Sequence, residues 1–175
     1  MFTDKLVHNV IFKDYYTSSD GTTSNMTTTV INGDKITKPA TPTKKGYTFD
    51  YWSSLETGGG AYDFDVAIES ETKITVTLYP YWTANNYTVK YDGNGATFGA
   101  TPDSYHTYDT QGILSNNGFV KTGNKFLGWA KDKNATTPEF IYDSNNQCTV
   151  LNLTSEPDGV VTLYAIWQIQ HITMV

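Results

Sequence analysis

TLYPYW (77–82) returns near the end of the chain as TLYAIW (162–167). One such hexad fits any buried strand, but two raise the question of a duplicated unit. Working outward, GYTFDYW (46–52) lies over GNKFLGW (123–129) once Trp52 is set on Trp129, with Gly, Phe and Trp at identical spacing. Strand-like runs precede both, VIFKD (10–14) and VKYDG (89–93). Aromatic–Asp segments follow both, YDFD (62–65) and FIYD (140–143), ahead of the closing hexads. Four blocks recur in one order, so the chain reads as a tandem duplication. The copies differ in spacing where Asn and Asp are dense, and insertion into surface loops costs little.

The boundary falls in the polar link TANN (83–86). The expected organisation is a first, divergent unit over 1–84, a second over 85–168, and a tail or the start of a following segment over 169–175. Each unit is then about 80 residues, near the lower limit for an independent core. Aromatic volume meets that limit: the chain holds 13 Tyr, 8 Phe and 4 Trp, and each such ring buries roughly 150–250 Å². The expected core is Phe49, Trp52, Leu78, Tyr79 and Trp82 in the first unit, and Phe126, Trp129, Leu163, Tyr164 and Trp167 in the second.

Composition points to a mostly β fold. Charged residues are only 17% of the chain, and Thr, Asn, Gly and Tyr fill the gap, the palette of strands and turns. KITVTLYPYW (73–82) is the clearest strand, and alternation in TVKY sets Val89 and Tyr91 on one face. Pro39 and Pro42 make PATPTKKG (39–46) an extended connector. Helix is expected to be short, one or two turns around VAIES (66–70) or GILSNN (112–117).

The net charge of −6 argues against nucleic-acid binding, which needs a basic face. No run of 18 or more apolar residues occurs, so no membrane insertion by a helix is expected. MFTDKLVHNVIF (1–12) has no basic start followed by an apolar core, unlike a signal peptide. QIQHITMV (168–175) ends without a tail or anchor, and the chain reads as an excerpt of something longer. Cys148 is the one cysteine, which rules out an internal disulfide.

The blocks resemble the Listeria–Bacteroides repeat, the B-repeat of internalin-type surface proteins. The second unit carries YTVKYDGNGAT, FLGWA and VTLYAIW, and the first carries GYTFDYW, AYDFD and TLYPYW. Tyr51 and Pro80 stand where the family has Gly and Ala, Asn124 where Tyr is common, and KDYYTSSDGTT lacks the DGNGG turn. The resemblance implies two tandem β-grasp-like modules, α+β with little helix. It implies a non-catalytic repeat pair from a secreted, cell-wall-associated bacterial surface protein, placed outside the cell as spacer, stalk or adhesin. Its partners would be neighbouring repeats and a host or cell-surface protein or glycan. Two alternatives stand beside this: a carbohydrate- or mucin-binding module, and an accessory domain of a larger exported enzyme.

The search for chemistry yields little. His8, His106 and His171 have no metal-ligand spacing, and His106 in SYHTYDT is expected at an exposed strand position. Cys148 lacks an orienting motif and is expected to be a semi-buried structural thiol. Asp92, Asn94 and Asp103 in DGNGATFGATPD read as a turn, because Gly and Ala occupy the places calcium would need. Asn25, Asn86, Asn134 and Asn152 open glycosylation sequons that so Asn- and Thr-rich a chain produces by chance. No catalytic residue, metal or cofactor is expected. Tyr15, Tyr16, Tyr51 and Tyr105 do not recur between the copies, and are the expected ligand contacts.

Overall fold

The computed structural model describes residues 5–171, so the tail expected at 169–175 lies partly outside the described residues. The chain divides into two compact units between Thr83 and Ala84. The first unit is built from β1 (Val7–Thr17), β2 (Thr23–Ile31), β3 (Tyr47–Ser53) and β4 (Thr75–Ala84), in the sheet order β2-β1-β4-β3. β1 runs antiparallel to β2 and parallel to β4.

The second unit repeats this plan. β5 (Asn86–Asp92), β7 (Ser104–Thr107), β10 (Asn124–Ala130) and β12 (Gly159–Ile169) form a sheet in the order β10-β12-β5-β7. β5 is antiparallel to β7 and parallel to β12, whose other edge takes β10 antiparallel. Two short ladders are added: β6 (Phe98–Gly99) with β9 (Phe119–Val120), and β8 (Gly112–Ile113) with β11 (Thr149–Val150). First and last strands thus lie side by side and parallel at the centre of each sheet.

Among the described residues there is no helix, which corrects the one or two helical turns expected around 66–70 or 112–117. The reason is where the backbone hydrogen bonds go. In 66–70, the Ile68 amide donates to the Asp34 carbonyl at 2.9 Å, and the Ile68 carbonyl accepts from Gly33 at 2.7 Å. In 112–117, Gly112 and Ile113 pair with Thr149 and Val150, and the Leu114 amide donates to the Cys148 carbonyl at 2.9 Å. Long-range partners have taken the groups a helix would have used.

Strand alternation sorts the core. Along β1, His8, Val10 and Phe12 are buried while Val7 and Asn9 are exposed; along β5, Tyr87 and Val89 are buried while Asn86 and Lys90 are exposed. Trp52 centres the first core, with Phe12 edge-on at 5.0 Å and Phe49 at 5.5 Å. Trp129 centres the second, with Tyr91 at 4.8 Å and Phe126 edge-on at 4.9 Å. Each offset or edge-to-face pair is worth about 0.5–1.5 kcal/mol beyond its area burial. Both closing tryptophans meet a phenylalanine edge-on, Trp82 with Phe49 at 5.4 Å and Trp167 with Phe126 at 5.6 Å. Trp167 packs on the second core, whereas Trp82, half-buried, belongs to neither core cluster and departs from the expected core. Leu78 and Leu163 are fully buried. Tyr79 and Tyr164 depart from the expected core as well: both are half-buried and belong to neither core cluster. A strand that buries Leu78 and Leu163 turns the next side chain to the other face.

Candidate functional site

Among the described residues no three or more His, Cys, Asp or Glu side chains gather as a metal site. His106 departs from expectation, being 6% exposed rather than an open strand position. It stacks on Tyr87 at 5.3 Å, and its Nε2 shares a 2.7 Å hydrogen bond with Ser104 Oγ. That hydroxyl lies 2.7 Å from the Tyr91 hydroxyl, which accepts from the Ser115 amide at 2.9 Å. Nearby, the Trp129 indole donates to the Tyr142 hydroxyl at 2.8 Å, and that hydroxyl donates to the Ser115 carbonyl.

Burial lowers the His106 pKa and pushes that of Tyr142 up to about 12. It also raises the Cys148 thiol, helped by Asp143, and Cys148 is free and buried. A serine held between an uncharged histidine and a tyrosine, with a thiol kept protonated, ties β5 and β7 to the 112–115 segment. His106 Nδ1 is buried with no hydrogen-bond partner among the described residues, so no third group orients the imidazole as a base toward Ser104, and the raised Cys148 pKa keeps its thiolate scarce.

Of the four tyrosines expected at a contact surface, two are open. Tyr105 is 80% exposed on the sheet face turned from the core, and Tyr16 is 54% exposed. Tyr105 lies across from Thr88, whose other neighbour is Val160, 58% exposed. Tyr15 is a correction: it lies parallel to Trp52 at 6.3 Å and packs on the first core. Tyr51 is half-buried and stacks on Tyr81 at 4.9 Å, and its hydroxyl donates to the Gly59 carbonyl at 3.2 Å. The Tyr81 hydroxyl accepts from the Gly59 amide at 3.0 Å, so this pair anchors the 55–59 loop.

No sequence motif marks a groove of about 460 Å³ that lies beside β10 in the second unit. Phe126, Tyr142, Leu127 and Ile141 supply its apolar surface, and Asn116, Asn146 and Lys125 its polar groups. Among the described residues, the side-chain amides of Asn116 and Asn146 and the Lys125 ammonium have no intramolecular hydrogen bond or ion pair. The signal available was the Asn-rich loops at 116–117 and 144–146, which read as turns because nothing local shows which face they share.

The family model for the Listeria-Bacteroides repeat domain matches residues 8–79 and again 87–166. The chain belongs to the Listeria-Bacteroides repeat family. It is similar to a protein of Evansella cellulosilytica described as a membrane protein, 34% identical over 77% of this chain and 19% of the relative. A second protein of that organism, described as a Gly-rich membrane protein, is 31% identical over 78% of the chain and 14% of its own length. Internalin H of Listeria monocytogenes is 30% identical over 78% of the chain and 22% of its own length. The chain therefore spans about a fifth or less of the relatives it matches.

Packing accounts for the recurring letters of the Listeria-Bacteroides repeat in the second unit. Gly128 has φ 150°, and a Cβ there would stand 2.3 Å from the Phe140 carbonyl oxygen. In the DGNG turn, Asn94 takes φ 47° and donates its amide to the carbonyls of Lys133 at 2.9 Å and Ala165 at 3.0 Å. The Trp167 indole donates to the Gly93 carbonyl at 2.8 Å. The repeat signature is a packing signature.

Proposed function

We propose that the chain is a non-catalytic, load-bearing spacer from a bacterial cell-surface protein, its units holding a neighbouring domain away from the cell. One observation carries this reading: the first and last strands of each unit are parallel neighbours. Asn9 to Phe12 face Thr75 to Leu78, and Tyr87 to Asp92 face Gly159 to Tyr164. Parallel neighbours place the entry of one strand and the exit of the other at opposite ends of the ladder. Tension along the chain then pulls them past each other, and the backbone hydrogen bonds resist together. An antiparallel pair pulled from one end gives them up in turn. The resemblance to internalin H and to two proteins described as membrane proteins supports an extracellular setting.

Single-molecule stretching tests the proposal. Pulled through its ends, the second unit should unfold at a force several times that needed when the same unit is held through Asn86 and Thr107, which face each other across β5 and β7. Equal forces in the two geometries would remove the load-bearing role.

A further inference from the structure

We propose that the groove beside β10 in the second unit binds a sugar that carries a carboxylate. At about 460 Å³ it falls within the range of small-molecule sites, about 300–1,000 Å³. β10 ends the sheet order, its outer side bridged at Trp129 by Phe140, and the groove is lined by Lys125, Phe126 and Leu127 of β10 and by Ile141 and Tyr142 just after that bridge.

The lining has the chemistry a pyranose asks for. A sugar ring presents C–H faces that settle on apolar surface, and hydroxyls that pair with side-chain amides. Leu127 and Ile141, the latter 63% exposed, supply the first over the half-buried rings of Phe126 and Tyr142. Asn116 and Asn146 supply the second, with both amides uncommitted among the described residues. The Asn146 main chain is fixed in place, because its backbone N–H donates to the Asp143 carbonyl at 3.0 Å and its φ is 59°.

Charge selects the carboxylate. The chain as a whole carries −6, yet the one charged residue lining the groove is Lys125. Its ammonium has no ion pair among the described residues, where Lys35–Asp65 is the pair that forms. Asp143, in the adjoining loop, uses its carboxylate to accept from the amides of Asn145 at 2.8 Å and Gln147 at 2.9 Å. A cation left open on an acidic protein, among free amides and apolar surface, is complementary to an acidic sugar.

The first unit provides the control. Superposing Trp52 on Trp129, and YDFD on FIYD, puts Thr48, Asp50 and Asp63 where the second unit has Lys125, Leu127 and Ile141. One cation and two apolar groups become a hydroxyl and two carboxylates, so the first unit should refuse the same ligand.

The test is an amide-resolved NMR titration of the whole chain with sialyllactose, digalacturonate, lactose and a short glutamate peptide. The expected result is saturable shifts at Asn116, Lys125, Leu127, Ile141 and Asn146 with at least one acidic sugar, and none at Thr48, Asp50 or Asp63. Which acidic sugar binds separates a sialylated glycan from a uronic-acid polymer. Lactose should bind at least tenfold more weakly, and Lys125→Gln should lose roughly tenfold in affinity for the acid, the scale of one charge-assisted hydrogen bond. The Lys125 side chain is exposed and unpaired, so the variant's own spectrum reports an unchanged fold. Absence of saturable shifts with both acids overturns the proposal. So does lactose binding as tightly, a Lys125→Gln affinity equal to the parent's, or a peptide that competes as well as the sugar. The proposal is independent of the load-bearing reading, which the stretching measurement decides without reference to this groove.

Discussion

The two units hold one sheet in two different ways. His8 and Tyr87 occupy the same place on the first strand, and Val30 and His106 the same place opposite them. In the first unit the buried histidine is on the first strand, where it shares a 2.9 Å hydrogen bond with Asn32 and accepts from the Ile74 amide at 3.3 Å. In the second unit an aromatic ring takes that place, and the histidine faces it from the neighbouring strand. After the first strand the units part again. The second turns through DGNG and plugs Asn94 against the Lys133 and Ala165 carbonyls. The first continues through an irregularity between Phe12 and Tyr16 into a longer hairpin, and lays Tyr15 on Trp52. The sheet order and the central tryptophan are therefore the invariants. The polar pins around them differ in completeness: both ring nitrogens of His8 find partners, whereas His106 bonds through Nε2 and leaves Nδ1 buried without one among the described residues.

The comparison breaks most readily at the tryptophans. Trp52→Ala and Trp129→Ala should each cost their own unit about 3–5 kcal/mol, as large-to-small changes at buried sites. Chemical denaturation read from the amide signals of each unit checks this. An unmoved midpoint in either unit would end their equivalence.

A smaller effect sharpens the contrast at the neighbouring position. Gly128→Ala should cost about 2–3 kcal/mol, because the new Cβ meets the Phe140 carbonyl in a backbone conformation that suits glycine. Tyr51 fills that place in the first unit, where its ring lies on Tyr81. Tyr51→Phe, which keeps the ring and removes only the hydroxyl's bond to Gly59, should lose about 1 kcal/mol. Equal losses at the two sites, in the same denaturation assay, would show that the glycine is decoration.

Acid should act on the second unit through His106. Burial holds its pKa below the usual 6.5, so an unfolded chain takes up the proton before a folded one. The full contribution is present above about pH 6.5 and is lost as the pH falls through the lowered folded value. A titration of the unfolding midpoint should slope downward over that window in the parent and flatten in His106→Phe, which keeps a ring against Tyr87. A slope unchanged by the substitution would move the effect to another group. The smallest effect belongs to Tyr105→Ala, which should shift stability by no more than about 0.5 kcal/mol at so exposed a position. A larger loss in the melt would place that ring in the fold.

The duplication was legible because four blocks recur in order, and Trp52 and Trp129 could be matched before any contact was known. Tyr79 and Tyr164 were misread because the hexad was taken as a block, although a strand cannot send Leu78 and Tyr79 to one face. His106 was misread for a related reason. Tyr105 and His106 are adjacent on a strand, so the two cannot both face solvent as expected, and one must point inward. What decides it is the hydrogen bond to Ser104 and the stacking on Tyr87, a partner across the sheet that local pattern does not name. The groove was invisible for the strongest reason. Asn116, Lys125 and Ile141 come from three separate segments, and only the completed sheet brings them together.

The parallel pairing at the centre of each sheet also sets an order of events in time. The first strand of a unit finds its central neighbour only when the last strand exists, nearly a whole unit later in the chain. During synthesis, the opening hairpin must wait with one edge unsatisfied. Closing so long a loop costs entropy before any of it is returned, which slows folding relative to chains built from near neighbours. A nascent unit is accordingly all or nothing: truncated before Thr75 or Gly159, it has strands but no centre.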